Sequence, residues 1–453
     1  MNTPFEMNYF LAFGYIGICI FVGVLLRAKI KGLQKYLVPA CMVGGILGMI
    51  VLNLNLVSLD ESFFQTIAYH FFIISFISIG LTQAKKLPGE KGKGKEILRG
   101  AFWMGLMNGA SMASQAFIGC VLVLLFGVVG IAIPLQFGLF LPLGFTQGPG
   151  QALAIGKAWE ASGFTNAISI GLAFAAIGFV FALFVGIPIV NWGIRKGFTT
   201  MGQIELPDFF RRGIYKEDEI EEPLGLMTTH SGNVDSFAFH ACAVGIAYLL
   251  TYVGFYLVEQ AVGTLSSASW GFFFFYGMLA GILIKVFMQK TGSGYLLDGQ
   301  TQNRITGFSV DILVAATLIS VKLSVVWEYI IPLLTVALVG GIWTTFYIVY
   351  FGRRVKELGF ERMCVQYGVN TGTLSTGLLL LRVVDPQFKT TVALETGLYS
   401  IFAIPFILAN MVVILYSPKW GFNIYHQMGM YLGLFALVLL LLKIFKYWGK
   451  KAW

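Results

Sequence analysis

About eleven apolar stretches of 20 residues or more divide this 453-residue chain, and their lengths constrain the fold more than any motif does. Each is long enough to cross a hydrocarbon core of about 30 Å at a rise of about 1.5 Å per residue. Composition agrees: 57% of residues are hydrophobic and 12% are charged, against roughly 45–50% and about 25% in soluble domains. A dispersed soluble enzyme is thereby excluded, and the sequence predicts an all-α polytopic membrane protein. Spans are expected near 7–26, 36–57, 63–81, 101–129 and 165–192, then near 237–258, 267–287, 308–328, 330–351, 390–416 and 424–444. The first stretch is followed by more spans instead of a small-residue cleavage site, so it reads as a transmembrane helix. Cys19, Cys41, Cys120, Cys242 and Cys364 lie singly, without metal-ligand spacing, and read as small buried residues.

Two further stretches, 135–164 and 364–389, are semi-polar and glycine-marked, and both read as re-entrant segments. With that threading, 28 of the 31 Lys and Arg residues fall on one side; Lys157, Lys322 and Lys419 are the exceptions, and only Lys419 lies in an opposite-side loop. The positive side is the cytoplasm, which places the N-terminus outside and the C-terminus inside. The net charge of +9 then follows from topology, and no nucleic-acid partner is expected. The stretch 193–236 carries Pro207, Pro223 and the acidic cluster Glu217, Asp218, Glu219, Glu221 and Glu222, without an apolar period. It reads as a cytoplasmic linker.

Four domains follow: a first transmembrane repeat over 1–192, the linker over 193–236, a second repeat over 237–416, and an additional C-terminal helix with a basic tail over 417–453. Each repeat has four spans, a re-entrant hairpin and a fifth span. Because five is odd, the second repeat inverts, as in many secondary transporters. Gly144-Phe145-Thr146-Gln147-Gly148 in the first half has the same form as Gly368-Val369-Asn370-Thr371-Gly372 in the second. Gly144 lies 21 residues before the fifth span and Gly368 lies 22 before the tenth.

The membrane interior tolerates unwound backbone only where protein or a water-filled cavity surrounds it. A re-entrant turn exposes helix N-terminal amides, which suit a carboxylate, and frees carbonyls, which with hydroxyls suit Na+. The candidate substrate groups are Thr146, Gln147, Gly148, Gly150 and Gln151 in the first turn and Asn370, Thr371, Gly372, Thr373 and Ser375 in the second. Gln147, Asn370, Ser375 and Thr376 are the candidate Na+ ligands. Lys322 is expected well inside the eighth span, about 16 Å along the helix from Asp311. It is a candidate partner for a substrate carboxylate, or else snorkels outward or bridges helices. Arg382 is the other cation considered for that role, His70 and His240 read as helix–helix hydrogen-bonding groups, and Lys157 and Glu160 as a local pair.

Gly148 and Gly150, then Gly163-Phe164-Thr165-Asn166-Ala167, Val321-Lys322-Leu323 with Trp327-Glu328, and Gly372-Thr373-Leu374-Ser375-Thr376-Gly377 carry a family likeness. Over roughly residues 1 to 416 the chain resembles the bacterial sodium/glutamate symporters. The two first-turn glycines fall on that family's Gly-Gly-His-Gly-Thr signature and the last segment on its Gly-Ala-Thr-Pro-Thr-Ala turn. The resemblance implies two inverted five-helix repeats with re-entrant hairpins, an elevator-like mechanism, a homodimer in the bacterial inner membrane, and Na+-coupled uptake of glutamate. Departures lie at the turns: Pro149 replaces the family's His, Gln151 its following Thr, and Leu374 and Ser375 its second-turn Thr and Pro. A different small carboxylate, or H+ as the driving ion, is therefore the alternative on the same fold.

No cofactor is expected beyond Na+ as coupling ion. An intramembrane enzyme would need a nucleophile with its base, or a motif such as H-E-x-x-H, and none of the four histidines (70, 230, 240, 426) lies in one. An ion channel would favour repeated rings of one pore-lining chemistry, whereas two opposed turns are predicted.

Overall fold

The computed structural model describes residues 5–82, 94–200, 202, 207–216, 219, 225–262, 270–386, 389–416 and 421–453. Lys419, most of the acidic linker cluster (Glu217, Asp218, Glu221 and Glu222) and Pro223 lie outside them. Among the described residues there is no strand, and nine helices are long and apolar enough to cross a membrane. The chain is a polytopic membrane protein.

The helices are α1 (Asn8–Lys29), the short α2 (Lys31–Lys35), α3 (Ala40–Asn53), α4 (Glu61–Leu81) and α5 (Gly94–Val128). A helix–break–helix unit follows, α6 (Phe140–Phe145) and α7 (Pro149–Glu160), then α8 (Ala167–Val180), α9 (Gly186–Arg195) and the linker helix α10 (Asp208–Arg212). The second half holds α11 (Ser236–Val262), α12 (Phe273–Lys290), α13 (Gly299–Ile319), α14 (Leu323–Glu328) and α15 (Ile330–Gly352). A second helix–break–helix unit, α16 (Gly359–Thr371) and α17 (Leu374–Val384), precedes α18 (Val392–Tyr416) and α19 (Ile424–Ile444).

Every expected span contains a helix, but two differ from expectation. The 36–57 stretch yields α3, whose 14 residues reach only about 21 Å. The 308–328 stretch is not continuous: α13 ends at Ile319 and α14 begins at Leu323. Asn53, the last residue of α3, holds that break open. Its Nδ2 donates to the Val321 carbonyl at 2.9 Å and its Oδ1 accepts from the Leu323 N–H at 2.9 Å. The freed backbone groups are thus satisfied by a side chain from another helix, as burial requires.

Local chemistry sets other helix ends. Asp60 caps α4 by accepting from the Ser62 N–H at 2.8 Å, and Asp298 caps α13 by accepting from the Thr301 N–H at 2.9 Å. The hydrogen bonds from Ser62 hold the Asp60 carboxyl below the usual carboxylate range. Between α8 and α9 the chain passes through a π-helical turn, Phe181–Val185. Pro188 follows it and has no N–H to return to the Phe184 carbonyl, which accounts for the irregular turn there. Contrary to expectation, Cys242 is exposed, on the outer face of α11, while the other four cysteines are buried.

The helices pack into two groups, and each draws on both sides of the linker. One apolar core joins α1, α3 and α4 to α11, α12 and α13, with Leu153 of α7 and Ile168, Leu172 and Phe179 of α8 packed into it. Two others join α5 through α9 to α15 through α19. The helix–break–helix units both belong to the second group. His70 and His240 serve packing: His70 Nδ1 bonds the Tyr248 hydroxyl at 2.8 Å, and His240 Nε2 accepts from the Asp298 N–H at 2.7 Å. Since Nε2 accepts, Nδ1 is the protonated nitrogen and donates to the Ser236 carbonyl at 2.6 Å.

One buried ion pair ties α16 to α18. Arg362 Nε and Nη2 reach Glu395 Oε2 and Oε1, both at 2.7 Å, with Glu395 fully buried. Gly100 of α5 makes room for it, because a Cβ there would stand 2.1 Å from Glu395 Oε2. Breaking such a pair from one side leaves a charge buried alone. Arg362→Met or Glu395→Met is therefore expected to cost about 3–5 kcal/mol, and the double substitution much less than either. Thermal unfolding of the purified protein in detergent checks this; additive losses would contradict it.

Candidate functional site

The two helix–break–helix units meet at their tips. Gly148, in the first break, has a φ of +83°, and a Cβ on it would lie 3.1 Å from the Gly372 carbonyl oxygen in the second. Both matched pentapeptides end at this contact. Gly144 and Gly368 act a turn earlier, where a Cβ would strike the backbone of α8 at Ala175 (2.7 Å) and of α17 at Thr376 (2.6 Å). Gly178 in α8 leaves room for the Thr371 carbonyl, 2.7 Å from where its Cβ would be. Glycine at these points lets unwound backbone approach helix axes.

Around the tips lies a buried polar network. Thr146 Oγ1 donates to Gln115 Oε1 at 2.6 Å, and Gln115 Nε2 donates to Thr344 Oγ1 at 2.9 Å and to the Asn370 carbonyl at 3.3 Å. Asn370 Oδ1 accepts from Asn108 Nδ2 at 3.3 Å, while Asn370 Nδ2 donates to Gln366 Oε1 at 2.8 Å. Gln147 Nε2 approaches Met112 Sδ at 3.0 Å. Thr146, Gln151, Asn370 and Thr371 are buried, Gln147 and Thr373 are partly buried, and Ser375 is exposed.

Several polar atoms in and around this network are buried without a partner: Ser111 Oγ, Gln147 Oε1, Gln151 Oε1 and Gln366 Nε2. An unpaired buried polar group costs about 1–3 kcal/mol, so their proximity to the tips points to a ligand that supplies the missing bonds. The two tips differ in what they offer. No side chain caps α7, and its first residue, Pro149, has no N–H, so the amides of Gly150 and Gln151 begin the helix. The N-terminus of α17 is instead closed by a capping box of Thr373 and Thr376. Thr376 Oγ1 donates to the Gly368 and Thr373 carbonyls at 2.7 and 2.8 Å and accepts from the Thr373 N–H at 2.8 Å. Its hydroxyl is occupied in holding the tip together.

Lys322 is not brought to the turns. It sits at the break before α14, half-exposed, and pairs with Glu61 beside Asp60. The expectation of a lysine deep in a span fails because the helix carrying it stops at Ile319. Arg382 is exposed in the last turn of α17. Glu160 turns away from Lys157, and its Oε1 accepts from the Ile168 N–H at the start of α8 at 3.2 Å. Conversely, sequence reasoning passed over Asn108, Ser111, Gln115, Thr344 and Gln366. The first three were legible in principle: spaced i, i+3 and i+7 in a long apolar helix, they form one polar stripe.

Residues 5–356 match the family model described as the sodium/glutamate symporter. The chain belongs to the sodium/glutamate symporter family. The match takes in the first tip and all of α5, and it ends just before α16. No curated protein matches the chain. Membership in this family makes the chain a membrane transporter and not an enzyme, and it directs attention to Na+ and glutamate as solutes. Among the described residues no group of His, Cys, Asp and Glu could hold a bound metal in the manner of a structural or catalytic site.

Two substitutions separate tip geometry from tip capping. Gly148→Ala forces a β-carbon onto a left-handed residue, at about 1–2 kcal/mol, and pushes against the Gly372 carbonyl. Thr376→Val removes the capping hydroxyl, at about 1 kcal/mol. Both are expected to lower the unfolding temperature in detergent, whereas Ser375→Ala, at an exposed position, is expected to leave it unchanged.

Proposed function

We propose that this protein is a secondary active transporter that couples Na+ entry to uptake of glutamate or a closely related anionic amino acid. The supporting observation is the uncapped N-terminus of α7 beside buried, unpartnered side-chain oxygens. Its open amides, with roughly half a positive charge, suit a carboxylate. Ser111 Oγ, Gln147 Oε1 and Gln151 Oε1 are acceptors that suit an ammonium group or a Na+. In this reading the first tip receives the anion, the self-capped second tip supplies freed carbonyls through Gly372 and Asn370, and Gln366 Nε2 is a further donor.

The matched pentapeptides at the two tips support two inverted-topology repeats, each with a re-entrant hairpin. The division into two packing groups supports an elevator-like shift of the hairpin-bearing group against the other. In this reading the protein works as a homodimer in the bacterial inner membrane, with its N-terminus outside and its C-terminus in the cytoplasm. One Na+ with one monoanion is electroneutral, so the membrane potential, about 2.3 kcal/mol per charge per 100 mV, assists only if at least two cations enter per substrate.

One observation favours a second cargo. Neither Lys322 nor Arg362 joins the polar network, since Lys322 pairs with Glu61 and Arg362 with Glu395. A substrate with a single carboxylate fits this set of amides and hydroxyls as well as glutamate does.

Proteoliposomes test both readings. An inward Na+ gradient is expected to drive saturable glutamate uptake, and choline in place of Na+ to abolish it. Gln151→Leu, which removes one acceptor to a charged ligand worth about 1.5–3 kcal/mol, is expected to weaken Na+-dependent uptake about tenfold or more. Uptake unaltered by Na+ but driven by a pH gradient would make H+ the coupling ion. A monocarboxylate transported in preference to glutamate would establish the second cargo.

A further inference from the structure

We propose that a basic cavity between α2, α9, α10 and the end of α17 binds a phosphate-bearing anion, and that its source is the headgroup of an anionic phospholipid. The cavity has a volume of about 570 Å³ and lies at the end of the bundle assigned above to the cytoplasm. Its rim carries Lys31 and Lys35 from α2 and Arg211 and Arg212 from α10, against a single carboxylate, Asp208. Arg212 is committed to Glu219, with Nη2 2.7 Å from Oε2. Among the described residues, Lys31, Lys35 and Arg211 form no ion pair, so three cations border one space, with Lys35 Nζ also 5.6 Å from the centroid of the Tyr36 ring.

The rim is held in place. Arg27 near the end of α1 donates from Nη2 to the Phe210 carbonyl at 3.2 Å. Gly213, with a φ of +78°, closes α10 against the same side chain, where a Cβ would come within 3.0 Å of Arg27 Nε. This fixes the linker helix over the corner between α1 and α2, so that arginines distant in sequence face the lysines of α2. Such convergence of cations beside the end of a span matches the way membrane proteins recognise acidic headgroups.

The floor selects the source. Leu37, Ile187 and Val383 line it and are buried. A free phosphate would gain nothing from that apolar wall, whereas a lipid would lay its glycerol and first acyl carbons against it. The cavity also borders both packing groups: Leu33 of α2 packs against the first core, whereas the lining residues Leu37, Ile187 and Val383 belong to the second. A lipid seated there bridges the elements that must separate if the groups shift during transport. This site is distinct from the tips, and its test does not depend on what the protein carries.

The experiment is native mass spectrometry of the full chain in neutral detergent, offered phosphatidylglycerol or phosphatidylcholine. Wild-type protein is expected to retain phosphatidylglycerol preferentially, and K31Q/K35Q/R211Q to lose at least about tenfold of that retention. R211Q alone, on the exposed face of α10, provides the same comparison if the triple variant is not recovered. K443Q/K446Q/K450Q removes equal charge from residues that do not line the cavity and is expected to behave as wild type. Displacement of the lipid by inorganic phosphate at low concentration would keep the phosphate site and overturn the lipid as its source. Equal retention by wild type and both cavity variants, or equal loss in the distant variant, would overturn the site itself.

Discussion

Two stretches of unwound backbone face each other inside an apolar bundle, and the structure is organised around keeping them there. At the contact, a Cβ on Gly148 would stand 3.1 Å from the Gly372 carbonyl oxygen. Backbone at that depth is stable only if its amides and carbonyls find partners. Long polar side chains from a neighbouring span meet part of that need: Gln115 bonds Thr146, Thr344 and the Asn370 carbonyl in one arrangement. What remains unpaired, at Ser111, Gln147, Gln151 and Gln366, defines the chemistry offered to a solute.

The same constraint explains the surrounding packing. Gly144, Gly178 and Gly368 let α8 and α17 press on the tips. Tyr367 connects the second unit to the π-helical turn: its hydroxyl lies 3.4 Å from the Phe181 carbonyl and 3.0 Å from Thr345 Oγ1. Farther from the tips, the Arg362–Glu395 pair fixes the other end of α16 to α18. The second unit is thus anchored at base and tip by different physics, charge at one and backbone complementarity at the other.

Much of this was legible in the chain. Apolar length alone located the spans, and two glycine-bounded pentapeptides located the breaks, because lipid forbids most alternatives at those places. The packing roles of the two histidines followed from their positions in apolar stretches. What was not legible depends on distant partners. Nothing near Ile319 announces the end of α13; Asn53, more than 260 residues earlier, satisfies the break. Lys322 therefore read as a deep intramembrane charge when it is a half-exposed one paired with Glu61. Likewise the role of Gln115 depends on Asn370, 255 positions later, and its neighbours in α5 are glycine, serine and methionine that read as ordinary helix packing.

That separation has a consequence for how the protein is made. At a synthesis rate of about 5–20 residues per second, α5 precedes its partners in the second hairpin by roughly 13 to 50 seconds. During that interval Asn108 and Gln115 lack their partners on the second hairpin, and of the tip residues bonded to Gln115 only Thr146, 31 positions later, has followed. A half-finished chain thus carries a polar stripe that the bilayer cannot satisfy. Holding α5 at the insertion machinery, or against provisional partners among the first helices, becomes a requirement of biogenesis set by the geometry of the finished site.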